Sequence, residues 1–347
     1  MAMVPRYVKR VFLWGALVSI GGITAKEDIV SRPTKSIMVT HGKEKNYIDN
    51  GVIERVTFYS QHSLNSDKKI PRKGVFLKRA NAQATVLICH GFMCDKYDVA
   101  FLRSLFPEYN VMTFDFRAHG EHVKDQLCTL GRDEAYDVTA AAEFLKTHPA
   151  VQGKPLLVYG FSMGAVAAIV AQSNKKLFDG MMLDCPFDSS ENIIKKGLEN
   201  LKFSLFGYEF EVPGRNLLQK YAFHPYVQSL VKMVLKAVSK LDSRDVNTFV
   251  HPVSSAESVK KINVPCLFIH CKNDEKVSVE AIRSIYDGAA SNYKLLWLTN
   301  GRHHYDSYFY NPEKYMALVT KFVGRVVEGK LKNTFRHKII EDLEEPQ

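Results

Sequence analysis

The chain has 347 residues, carries 47 Lys and Arg against 37 Asp and Glu for a formal charge of +10, and is 46% apolar. That composition excludes a disordered chain, a collagen-like repeat and a multi-span membrane protein, and the length is ample for one large α/β domain with an insertion. The basic excess is local, with 15 Lys or Arg and 6 Asp or Glu in residues 1–80 against 32 and 31 in the rest, so no basic stripe crosses the body as nucleic-acid binding would require.

In chain order, Arg6, Lys9 and Arg10 precede an apolar run from Val11 to Ala25, and charge returns at Lys26. A run of 15 residues interrupted by Gly15, Gly21 and Gly22 falls short of the roughly 20 that a bilayer core asks for. Segment 1–25 therefore reads as a signal peptide, with Ile23 and Ala25 at the cleavage positions, or as a retained N-terminal membrane anchor. Either places the chain outside the cytoplasm or on a membrane through its N-terminus; without a signal it is cytoplasmic. The six cysteines lack CxxC spacing and mostly sit in or beside apolar runs, so they read as small buried hydrophobes.

Within the leading segment 26–80, Val52 to Phe58 and Lys73 to Lys78 alternate as half-buried antiparallel strands joined by a polar turn, which predicts a β-hairpin. Then come the short apolar runs "ATVLICHG", "NVMTFDFR", "PLLVYGFS" and "GMMLDCPF" over 81–186, and "PCLFIHCKND" and "YKLLWLTN" over 262–328. Continuous apolar runs of this length are buried parallel strands. Helical patterns at Arg132 to Thr147 and Ala165 to Gln172 alternate with them, which predicts a doubly wound, mostly parallel sheet with its active residues at the strands' carboxyl ends. Residues 187–261 break the rhythm as an aromatic-rich, helical-looking insertion, placed to cap a pocket or to pack as a helical elaboration on its own core. Residues 329–347 are expected to be a charged, solvated tail.

The strongest chemical signal is Gly160, Ser162 and Gly164, a G-x-S-x-G set between a buried strand and a small-residue helix. A nucleophilic Ser on such a turn needs small neighbours so that the chain folds back sharply beneath it. The Met163 N–H then faces a developing oxyanion, and the Phe92 N–H, after the close bend at Gly91, is the second donor. A Ser hydroxyl needs a base, and the base needs an orienting carboxylate. Asp274, just past "PCLFIH", is the acid, with Asp184 as runner-up. His303 and His304 both follow the last strand, and the residues alone leave the base open between them. His90, His119 and His270 are placed less well for that role.

These motifs together resemble the α/β-hydrolase superfamily, in the branch of serine-aminopeptidase-like and monoglyceride-lipase-like hydrolases, over about residues 80 to 325. "HGF" resembles the family's oxyanion turn, "FDFRAHGEH" its D-x-R-G-x-G loop, and "PCLFIHCKNDEKVS" its I-H-G-x-x-D-x-x-V-P acid strand. Aligning Gly301 and Ser307 with G-x-x-H-x-x-S implies His304 as base. Three departures stand out: Ala118 and Cys271 replace glycines, which predicts strained turns at both, and Ser278 replaces a proline.

The resemblance implies a Ser hydrolase acting by acyl transfer but does not carry a substrate class; the apolar cap, with no peptide-reading charge site, points to an apolar small-molecule ester or related acyl compound, with a serine peptidase, a thioesterase or a catalytically silent binding protein as alternatives. No cofactor is implied, since no zinc-ligand spacing, G-x-G-x-x-G or G-x-x-x-x-G-K occurs.

Overall fold

The computed structural model describes residues 51–64, 66–121, 126–200, 202–205, 208–211, 215–229, 231 and 246–343. The expected signal segment 1–25, the stretch 26–50, parts of the 187–261 insertion and residues 344–347 lie outside the described residues. Among the described residues no helix is long and apolar enough to cross a membrane.

Strands β1 (Val52–Gln61) and β2 (Lys69–Lys78) pair antiparallel as the expected hairpin, each longer than the alternation alone implied. They lead into β3 (Thr85–Cys89), β4 (Asn110–Phe114), helix α1 (Glu134–Thr147), β5 (Leu156–Phe161), α2 (Met163–Asn174) and β6 (Gly180–Asp184). The nine-stranded sheet that results has the order β1-β2-β4-β3-β5-β6, completed by β9 (Cys266–Cys271), β10 (Tyr293–Thr299) and β11 (Arg336–Glu341). From β4 onward every pairing is parallel. This is the doubly wound, mostly parallel sheet expected of the α/β-hydrolase fold.

Side chains alternate faces along a strand, and two separate apolar layers follow from that. Val86 and Ile88 of β3 and Leu157 and Tyr159 of β5 join one layer, with Trp297 and Tyr315. Leu87 and Cys89, and Leu156 and Val158, join the other, packed on α1 and α2. Burial on both faces is why these strands read as unbroken apolar runs.

Two stretches differ from the sequence expectation. The insertion after β6 holds α3 (Ser190–Asn200), but the aromatic stretch that follows is a two-stranded antiparallel ribbon, β7 (Lys202–Leu205) with β8 (Tyr208–Glu211), before the short helices α4 (Arg215–Lys220) and α5 (Ser255–Ser258). The register there sets Phe203 opposite Phe210, and aromatic residues are favoured in strands. Its return leg is fastened to the body where the Cys128 N–H donates to the Asn247 carbonyl and the Phe249 N–H to the Cys128 carbonyl. After α6 (Val279–Gly288), β10, α7 (Ser307–Tyr310) and α8 (Pro312–Val327), the expected solvated tail instead adds β11 to the sheet edge. Its charged residues hid it, because an edge strand needs only one buried contact; Ile340 supplies it.

A buried ion pair joins the leading hairpin to the parallel body. Arg117, just past β4, donates through Nε and Nη2 to the two oxygens of Asp137 on α1 at 3.1 and 2.9 Å, and also to the carbonyls of Gln61 and His62. Both partners are almost fully buried, so removing one leaves an uncompensated charge inside. Arg117→Met should therefore cost about 3–5 kcal/mol in urea unfolding, whereas Arg283→Ala, which breaks an exposed pair with Glu341, should cost under about 1 kcal/mol. Equal losses would contradict this account.

Candidate active site

The turn from β5 into α2 sets the geometry. Ser162 sits there at φ 51° and ψ −117°, a left-handed conformation that ordinary side chains rarely adopt. The flanking glycines permit it. A Cβ on Gly160 would lie 2.5 Å from the Ala165 Cα, and one on Gly164 would lie 2.2 Å from the Cys89 carbonyl oxygen, so neither position has room for a side chain. The Ser162 N–H donates to the Asp184 carbonyl at 2.8 Å, which fastens the turn to β6. Strand, sharp turn and helix are thus packed too closely for anything but G-x-S-x-G.

From that turn a hydrogen-bonded chain runs across the carboxyl ends of the strands. The Ser162 hydroxyl donates to His304 Nε2 at 2.7 Å, and His304 Nδ1–H donates to Asp274 Oδ2 at 2.7 Å. Asp274 Oδ1 accepts from the Lys276 and Val277 N–H groups at 2.8 and 3.0 Å. Burial alone would raise the Asp274 carboxyl, but its attraction to His304, the hydrogen bond between them and the nearby His270 outweigh that and pull it down to about 2. The residue stays ionised and holds the imidazole in the tautomer whose Nε2 faces Ser162. His303, left open beside His304 by the residues alone, is exposed and points away from this chain of bonds, contributing only its carbonyl to the Asp306 N–H.

The loop that carries His304 shows why its motif has the residues it has. A Cβ on Gly301 would meet Cys271 Sγ at 2.7 Å, and Ser307 Oγ bonds Cys271 Sγ at 3.0 Å and Thr299 Oγ1 at 3.3 Å. Gly301 and Ser307 therefore seat the loop on the ends of β9 and β10. Of the expected strained turns, Ala118 is left-handed at φ 59°, but Cys271 is not; it is the last residue of β9, filling the space that Gly301 leaves. Ser278 serves where the proline was expected, its side chain capping α6 by accepting from the Ala281 N–H.

Across from Ser162 lies the turn after β3. Gly91 approaches so closely that a Cβ there would touch the Phe161 ring at 2.9 Å and the Ser162 Cβ at 3.6 Å. The backbone N–H groups of Phe92 and Met163 have no acceptor among the described residues; Met163 follows Ser162 in the chain, and Phe92 follows the closely approaching Gly91. Two buried imidazoles that the sequence reading set aside hold this turn in place. His90 donates through Nδ1 to the Gly91 carbonyl at 2.8 Å and accepts the Phe116 N–H at Nε2, 3.1 Å away. His119 donates through Nδ1 to the Arg117 carbonyl at 2.8 Å and accepts the Met93 N–H at 3.1 Å. Asp115 completes the clamp, accepting from the Lys96 ammonium at 2.6 Å and from its N–H at 2.9 Å. The signal for these roles was the fixed spacing of "CHGF" and "FDFRAHGEH".

Asp184, the runner-up acid, is buried beneath the site and accepts hydroxyl hydrogen bonds from Tyr315 at 2.7 Å and Tyr159 at 3.1 Å. Burial raises its carboxyl above the ordinary range despite those bonds, and no hydrogen bond joins it to His304. Cys185, His270 and Asp274 place one potential ligand atom each within 4.8 Å of one another. Burial raises the Cys185 thiol, however, both Asp274 oxygens already accept hydrogen bonds, Oδ2 from His304 and Oδ1 from backbone N–H groups, and His270 Nε2 bonds the Val277 carbonyl. Beside the Asp274 loop a cavity of about 370 Å³ opens between α3 and α6, with Phe187, Ile193 and Val277 on its apolar walls and Lys195, Lys196 and Lys276 at its polar ones.

The family described as serine aminopeptidase, S33, matches residues 80–305. An uncharacterised protein of Bacillus subtilis, YqkD, is 26% identical over 259 residues, which is 73% of this chain and 75% of the relative. Among solved structures, the esterase Pf2001 of Pyrococcus furiosus aligns over 82% of this chain and 96% of its own with a TM-score of 0.60 at 22% identity. An acylaminoacyl peptidase of Pyrococcus horikoshii aligns over 80% of this chain and 42% of its own, with a TM-score of 0.52 at 15% identity. At those identities the two structures speak to the fold.

The site's buried imidazoles give the fold a pH-dependent stability. Burial lowers His119 to about 3 and His270 to about 4, whereas an unfolded His takes up a proton near pH 6.5. Between those values the unfolded chain binds more protons than the native one, so stability falls as pH drops from about 6.5 toward 4. Asp274 acts in the same direction lower down, its contribution being present above about pH 4 and lost as pH falls toward 2. The urea midpoint should decline steadily from pH 7 to pH 4, and His119→Asn should flatten part of that slope. A midpoint constant over this interval would contradict the assignment.

Proposed function

Because the chain belongs to the serine aminopeptidase family of α/β-hydrolases, and so is an α/β-hydrolase enzyme, we propose that it is a serine hydrolase cleaving carboxylic esters or related acyl compounds through Ser162, His304 and Asp274. The observation that carries this reading is the pair of 2.7 Å hydrogen bonds that link a strained Ser162 to His304 and His304 to Asp274. In this mechanism Ser162 Oγ attacks the carbonyl carbon while its proton passes to His304 Nε2. The imidazolium, supported by Asp274, then protonates the leaving alcohol, and an ester of Ser162 remains. Water attacks that ester with His304 again as base, which releases the acid and restores the hydroxyl. The Phe92 and Met163 N–H groups, without acceptors among the described residues, donate to the oxyanion of each tetrahedral intermediate.

For the acyl group, Phe187 and Val277 offer an apolar wall next to the Asp274 loop, and the neighbouring lysines suit a polar or anionic end of the substrate. The family description favours a second reading, peptide rather than ester cleavage by the same three residues. A third, a silent fold used for binding, is disfavoured by the assembled hydrogen-bond chain. The signal-like residues 1–25 support an exported or membrane-anchored location, which cell fractionation with N-terminal sequencing tests.

With p-nitrophenyl esters of increasing chain length, Ser162→Ala and His304→Ala should each lower kcat by roughly 10³–10⁶-fold, while His303→Ala stays within a few-fold of wild type. A matched panel of aminoacyl amides and thioesters ranks the substrate classes by kcat/KM. Unchanged turnover in Ser162→Ala, with the fold intact, sinks the proposal; preference for the amides moves it to the peptidase reading.

A further inference from the structure

We propose that two copies of this chain associate edge to edge through β11, antiparallel and centred on Ile339. β11 is the last strand in the sheet, and among the described residues no strand covers its outer side. The Arg336 N–H donates to the Asn292 carbonyl at 2.8 Å and the Asp342 N–H to the Leu298 carbonyl at 3.0 Å, so residues 336, 338, 340 and 342 direct their backbone groups toward β10. In a parallel pairing the alternate residues face the other way, which leaves the N–H and C=O groups of His337, Ile339 and Glu341 aimed at the open edge. Such a row is a template for another strand.

Side-chain placement selects the occupant. Residues 335, 337, 339, 341 and 343 share one face of β11, and on it Phe335 is 76% exposed, Ile339 37% and Leu343 90%, a run of large apolar side chains with no cover. An antiparallel partner must set outward-facing residues against outward-facing residues, so a two-fold axis can pass through any residue from 337 to 341, at a hydrogen-bonded pair for the odd numbers and at a non-hydrogen-bonded pair for the even ones. Centring on His337 sets Arg336 against Lys338, centring on Lys338 sets that ammonium against its own copy, and centring on Glu341 does the same with its carboxylate; like charges directly opposite are destabilising. Centring on Ile340 sets Ile339 against Glu341 and Leu343 against His337, which leaves the apolar residues without apolar partners. Centring on Ile339 sets Phe335 against Leu343, His337 against Glu341, Ile339 against itself and Arg336 against Asp342. Within its own chain Asp342 accepts from Trp297 Nε1 and from the Lys314 ammonium. β11 is therefore complementary to itself in one register, as a two-fold interface requires. The exposed Glu341–Arg283 pair is the kind that rearranges at little cost.

The test is site-directed cross-linking of the full chain, whose native described cysteines are all buried. Opposed residues of this kind have Cα atoms about 5.5 Å apart, within disulfide range, whereas two copies of residue 337 are offset by four residues, roughly 13 Å. With a mild thiol oxidant, Ile339→Cys should yield a covalent dimer at least about tenfold more readily than His337→Cys, and the double variant His337→Cys/Glu341→Cys should cross-link as well. In sedimentation, Ile339→Lys should raise the dimer dissociation constant about tenfold or more with hydrolysis per chain unchanged. Wild type that sediments as a monomer at every concentration overturns the proposal. So does equal cross-linking at 337 and 339, and so does a monomer with the amides of 337, 339 and 341 protected from exchange, which means the chain covers its own edge.

Discussion

The left-handed backbone at Ser162 is the constraint to which the rest of the site is fitted. A non-glycine residue held there costs on the order of 1–3 kcal/mol and persists only where its surroundings over-determine it. Here they do: β3 passes so close that Gly164 has no room for a Cβ, α2 closes over Gly160, and the Asp184 carbonyl takes the Ser162 N–H. One strained torsion thereby lifts a hydroxyl above the sheet, starts a helix beneath it and leaves the first N–H groups of that helix pointing outward.

Opposite this turn the protein uses neutral groups where a charge would be costly. His90 and His119 each donate from one ring nitrogen and accept at the other, so both are satisfied without a proton to stabilise, and burial keeps them that way. They span from the turn after β3 to the loop after β4, while the ions Arg117, Asp137, Lys96 and Asp115 anchor that loop from outside. The Phe92 N–H is thus positioned by a rigid wall. On the other side of Ser162, Gly301, Cys271 and Ser307 do the same for His304.

Strands buried on both faces were legible because their composition carries the signal: β3, β5, β6, β9 and β10 coincide with the apolar runs to within a few residues. The three side chains now joined by hydrogen bonds were legible too, through motif context at strand ends, although the residues alone left two adjacent histidines open and only the resemblance to G-x-x-H-x-x-S favoured His304. Packing exposes one face of a loop to Ser162 and the other to solvent, and a single sequence does not record which. The β7–β8 ribbon was not legible, since aromatic residues at mixed spacing suit a helix or a strand. Nor was β11, where "RHKIIE" carries the charges of a solvated end and only Ile340 turns inward. The expectation of strain at Cys271 failed because the thiol had a cavity waiting at Gly301, a pairing of two distant positions that neither shows alone.

The account's central claim is that Ser162 is an activated nucleophile and that His304 activates it. Its most direct test is reaction of the folded protein with a fluorophosphonate probe, with the adduct mapped by mass spectrometry in wild type, His303→Ala and His304→Ala. A single adduct on the peptide containing Ser162, retained in His303→Ala and lost in His304→Ala, is the result predicted. A folded wild type that does not react, or that reacts at another residue, would contradict it.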